Sequence, residues 1–138
     1  MKSESLSDKN TLWQIEELLL ILFVSGRFHN IDDILLLSEI FEKLFPDSLI
    51  VGFKGNRTFL MRQLEIGKKN GKIITSGTNF GISSEGRAFV LEIINEKISK
   101  NEDLLKFLHL YRKMLWRLPR VRGQWNAYLE EFLRRLQK

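Results

Sequence analysis

Between positions 57 and 72 stand Arg57, Thr58, Arg62, Lys68, Lys69 and Lys72, with Glu65 as the only acid among them. Guanidinium and ammonium groups at this density suit an anionic partner. Lysines act there as point charges on phosphate, and an arginine can donate two parallel bonds to a phosphate or to a guanine edge. The wider charge distribution sharpens the point. Residues 1–53 carry four Lys/Arg against nine Asp/Glu, a net of −5. Residues 54–72 carry six against one, a net of +5, and residues 106–122 carry six cations and no acid. The whole chain is +5. An acidic front and two basic islands fit an anion that touches selected surfaces.

Other chemistries are poorly supplied. With no cysteine, the 138-residue chain has no disulfide, thiolate metal site or cysteine nucleophile. His29 and His109 stand apart from any ligand-like spacing, and Gly52-Phe53-Lys54-Gly55 lacks the Gly-Lys-Ser/Thr ending of a phosphate loop. The acid pairs Glu16-Glu17, Asp32-Asp33 and Glu130-Glu131 read as solvated faces. No catalytic, cofactor or metal site is expected. The first ten residues are polar and mixed in charge, unlike a secretory signal or lipidation site. The longest apolar run, Leu18 to Val24, falls far short of a membrane span. A cytoplasmic protein is expected.

The elements that must position these groups follow from periodicity and punctuation. Residues 1–9 read as a disordered lead-in. Asn10 or Thr11 can cap a first helix reaching Ser25 and stopped by Gly26. Its C-terminal half is apolar nearly all round, so it must be covered on more than one side. Arg27 to Asn30 is a connector able to form a short strand, and a second helix is expected from Asp32 to Phe45, ended by Pro46. Residues 47–55 read as a short strand or a packed loop. The basic stretch then falls on a third helix, Asn56 to Asn70, with Leu60, Leu64 and Gly67 inward and Gly71 as a left-handed cap. Thr58, Arg62, Glu65 and Lys69 point outward, flanked by Arg57, Met61 and Lys68. Lys72–Thr75 and Phe80–Ser83 read as a hairpin about the turn 76–79. Ser83 or Ser84 can cap a helix from Glu85 to Ile98.

Leu60-x-x-x-Leu64, Gly71-Lys72-Ile73, a short hairpin and Gly81-Ile82-Ser83-Ser84-Glu85-Gly86-Arg87 together resemble the winged helix-turn-helix superfamily, over roughly residues 11–98. The resemblance implies a mainly α fold with a small β-hairpin wing, residues 10–98, followed by a C-terminal helical hairpin, residues 99–138. That hairpin is similar in placement to the dimerising helices of PadR-like and MarR-like regulators. It implies double-stranded DNA as partner, a homodimer, and a role in transcription regulation. Arg57, Thr58, Arg62, Lys68, Lys69 and Lys72 would then contact the duplex. The connector before the third helix is longer than a standard turn, and the wing tip Ser76-Gly77-Thr78-Asn79 carries no cation. The helix rather than the wing is therefore expected to carry recognition.

In the last forty residues Leu104, Leu108, Tyr111, Leu115 and Leu118 form one heptad-like seam, and Trp125, Leu129, Phe132 and Leu136 a second. Pro119 and Gly123 separate them. Each seam is short, so the hairpin must dock on the body or on another copy. A second function class follows from this: an adaptor that docks a protein partner through its apolar first helix and its C-terminal hairpin.

Overall fold

In a computed structural model, residues 11–44, 50–99 and 102–117 are described, with the backbone alone at 44, 103, 104, 107, 114, 116 and 117. The central helix, α1 (Gln14–Ser25), begins later than the capping pattern predicts. Leu12 is extended and forms a single parallel bridge with Ile50, and the Val51 N–H donates to the Leu12 carbonyl at 3.0 Å. Backbone pairing thus outcompetes helix extension there. The Glu16 carboxylate accepts the Trp13 N–H at 2.9 Å and closes the true start. At the other end Gly26 takes the left-handed conformation and donates to the Leu22 carbonyl. Leu18 to Leu22 have no exposed surface, because α1 is enclosed by every other long element. Each such leucine contributes about 1.5–3 kcal/mol relative to exposure.

The second helix, α2 (Ile31–Leu44), is started by Asn30, whose side chain accepts the Asp33 N–H at 2.8 Å. Ile34, Leu37, Ile40 and Phe41 form its buried face. The expected Phe45 and Pro46 lie outside the described residues. Residues 50–56 have no regular structure beyond the Ile50 bridge, but Phe53 is fully buried. Asn56 then caps α3 (Arg57–Lys69) by accepting the Phe59 N–H at 3.1 Å.

Strands β1 (Ile73–Ser76) and β2 (Asn79–Ile82) pair antiparallel, with Ile73 opposite Ile82 and Ser76 opposite Asn79. The connecting turn is therefore Gly77-Thr78, two residues shorter than expected, with Gly77 at φ +63°. His29 and Phe80 exchange both backbone bonds, at 2.9 and 2.8 Å. The connector after α1 thus adds one strand-like residue to the hairpin.

Ser83 accepts the Gly86 N–H and donates to the Gly71 carbonyl, which joins the start of α4 (Ser84–Ile93) to the end of α3. α4 continues as a π-helical turn, Ile94–Ile98. From that turn the Lys97 ammonium reaches both Glu16 carboxylate oxygens, at 2.8 and 2.9 Å, and the Thr11 carbonyl at 2.8 Å. The last described helix, α5 (Glu102–Arg117), packs on α1 and α2. Its Tyr111 ring meets Phe41 edge-on, with centroids 5.0 Å apart, and its hydroxyl donates to the Leu37 carbonyl at 2.9 Å. The protein is mainly helical with one small antiparallel hairpin. No helix among the described residues is long and apolar enough to cross a membrane.

Candidate nucleic-acid interface

α3 is held by its inner side. Leu60 and Leu64 are buried, and Gly67 lets the Ile73 side chain of β1 lie where a Cβ would stand. A Cβ at Gly67 would fall 2.4 Å from Ile73 Cδ1. On the opposite side Thr58, Arg62, Glu65, Lys68 and Lys69 are all exposed. Among the described residues no ion pair engages Arg62, Lys68 or Lys69.

The other two predicted contacts are placed differently. Arg57 is exposed but pairs with Asp32 of the first turn of α2, which ties the two helix N-termini together. Lys72 is half-buried, with its ammonium 5.1 Å from the centroid of the Phe89 ring. That cation–π contact turns it toward α4, apart from the open face of α3. Four of the six expected residues, Thr58, Arg62, Lys68 and Lys69, therefore share one open surface. The hairpin tip exposes Ser76, Gly77 and Thr78, which can offer only neutral donors.

The entry to α3 is set by an acid that sequence reasoning passed over. Glu42 of α2 accepts the Phe53 N–H at 2.8 Å and the Lys54 N–H at 3.0 Å. Gly52, Lys54 and Gly55 all have positive φ, from +52° to +76°, and the chain curls round this carboxylate. A Cβ at Gly52 would lie 2.7 Å from a Glu42 oxygen. The three positive φ values make residues 52–55, the described end of the connector before α3, a tight turn.

Glu17 is a correction. Read as part of a solvated pair, it has no exposed surface, and its carboxyl group faces that of Glu42. Burial, and secondarily the neighbouring Glu42 carboxylate, push its pKa up to about 11. It is a neutral acid inside the fold. Glu16 is also buried, neutralised by Lys97. Tyr111, fully buried, has its pKa raised by burial first and then by Glu17 and Glu42. The apolar run Leu18 to Val24 directly after Glu16-Glu17 gave one available signal: in a helix apolar nearly all round, an acid beside the run has to face inward. His29 is placed structurally. Its Nε2 lies 3.0 Å from Ser25 Oγ, and burial lowers its pKa, with Asp33 opposing and Arg27 adding.

Of the residues expected to dock or dimerise, Tyr111 and Leu115 are buried and Leu108 is half-buried against the core of their own chain. The Leu104 side chain, and Leu118, Trp125, Leu129, Phe132 and Leu136, lie outside the described residues. Among the described residues no group of three or more His, Asp or Glu is placed to hold a metal. No family model, curated protein or solved structure matches the chain.

Proposed function

We propose that this chain is a winged helix-turn-helix protein that binds duplex DNA through α3 and serves as a dimeric transcriptional regulator in the cytoplasm. The observation that carries the reading is the open face of α3, where Thr58, Arg62, Lys68 and Lys69 stand exposed above a buried Leu60-Leu64-Gly67 side. The element order supports it as well: a helix, one bridged residue, two helices and a hairpin whose second strand takes that residue as neighbour. Arg62 is assigned to a guanine edge, and Lys68 and Lys69 to phosphates. The dimer contact is assigned to the C-terminal hairpin, of which Tyr111 and Leu115 are buried in their own chain while Leu118, Trp125, Leu129, Phe132 and Leu136 lie outside the described residues. A monomer in light scattering of the full chain would remove the dimer from the proposal.

Titration of a labelled random duplex at two salt concentrations tests the central claim. Lys69→Ala should weaken binding about equally for all sequences and reduce the log–log salt slope by about 0.9. Arg62→Ala should weaken binding and relax preference at one base pair. No binding at low salt refutes the reading.

A second reading, a protein-docking adaptor, is favoured by Glu65, an exposed acid amid the cations of α3. Its anchor cannot be the apolar belt of α1, which is enclosed. The C-terminal hairpin, whose residues from 118 on lie outside the described residues, and the α3 face are left to serve.

A further inference from the structure

Charge alone does not describe the open face of α3. Phe59, Met61 and Ile66 are 41%, 46% and 39% exposed, so three of the large exposed apolar side chains belong to this one helix. Phe59, Arg62, Ile66 and Lys69 follow one another at spacings of three, four and three, which places them on one stripe of the helix. The stripe alternates apolar and cationic groups. A surface that met only phosphates would gain nothing from Phe59 and Ile66. The major groove of DNA, however, displays one apolar group, the C5-methyl of thymine, beside the acceptors of guanine.

We infer that Ile66 and Phe59 read thymine methyl groups on either side of the guanine contacted by Arg62. The inference rests on the duplex-DNA reading above and adds the bases that the face selects. Ile66 and Phe59 are seven residues apart, about 10 Å along the helix axis at about 1.5 Å per residue. With bases about 3.4 Å apart along a strand, that reach covers about three base steps. The bound site therefore contains two thymines about three steps apart, with a guanine contact between them. Glu65, one position from Ile66 and exposed, accepts from a cytosine amino group beside that site and rejects a base that presents only acceptors there. The charge around the stripe suits this occupant, since Arg62, Lys68 and Lys69 are exposed and no ion pair holds them among the described residues.

The test uses the full chain and a duplex selected from a random pool at low salt. Each thymine of the selected site is replaced in turn by deoxyuridine, which removes only the methyl. Loss of about fourfold in affinity is expected at each of two positions about three steps apart, the equivalent of leaving one methyl group unburied. In Ile66→Ala the sensitivity at one of those positions should vanish while the other remains, and Phe59→Ala should show the converse. Both side chains are exposed, and circular dichroism checks that the variants stay folded. If the duplex binds but no thymine shows methyl dependence, or the dependence survives both substitutions, the inference is overturned and the DNA reading stands. If no duplex binds at low salt, both are overturned. The exposed apolar stripe would then belong to a protein partner.

Discussion

A Glu17→Gln variant should be more stable than the parent at neutral pH, by an amount that grows with pH. In the folded chain Glu17 is protonated up to about pH 11, whereas the unfolded chain ionises it near 4.5. Because the folded-state pKa is raised, its contribution is fully present below pH 4.5 and is lost progressively as the pH rises toward 11. At pH 7 the unfolded state has gained 2.5 pH units of ionisation that the folded state cannot match. At about 1.4 kcal/mol per unit this amounts to about 3 kcal/mol of lost stability. Glutamine has nearly the same shape as the protonated acid and does not titrate, so it removes the loss and leaves the packing alone. Urea unfolding of both proteins between pH 4 and 8.5 measures the difference, in which the other carboxylates cancel. The two should coincide near pH 4 and diverge by about 1.4 kcal/mol for each further unit. A difference that stays flat with pH, or a parent that gains on the variant as pH rises, would refute a neutral Glu17 in the core.

Lys97→Met should cost about 3 kcal/mol in the same assay, because it leaves the nearly buried Glu16 carboxylate without its cation. Adding Glu16→Gln should recover part of that loss, and a loss under 1 kcal/mol would mean the pair is better solvated than its geometry indicates. Ala normally favours a helix over Gly by up to about 1 kcal/mol, yet both Gly67→Ala and Gly86→Ala should lower the melting temperature. Gly86→Ala should be the worse, since its Cβ would stand 2.3 Å from the Lys72 backbone carbonyl. At Gly67 the obstacle is the end of the Ile73 side chain, which can rotate away. Equal losses would contradict that ranking.

The parts legible in the sequence were those written in local punctuation. Asn56, Gly71 and Ser83 each do what their side chain, or the lack of one, dictates at a helix end, and their positions come out to within a residue. What local pattern could not reveal came from partners far along the chain. Leu12 has ordinary helical spacing, and only the pairing with Ile50, thirty-eight residues on, makes it extended. The connector 52–55 is unreadable without Glu42, whose carboxylate its backbone wraps. The face of α3 was legible as periodicity, but Lys72 and Arg57 share that stretch of sequence and find partners in α4 and α2.

These same partners change the electrostatics that an anion meets. The acidic front half is less acidic at the surface than its composition suggests: Glu17 is neutral, Glu16 is matched by Lys97, and Glu42 is bound by backbone N–H groups. With Glu17 protonated, the folded chain carries +6 where the formal count is +5. Asp32 is the acid that matters most to α3, because it holds Arg57. The two side chains are 56% and 53% exposed, and an ion pair that open contributes at most about 1 kcal/mol. A phosphate with its own negative charge can displace Asp32 at that cost. Arg57 thus remains usable to an approaching anion, while Lys72, half-buried against Phe89, is the predicted contact that the fold has withdrawn from the face.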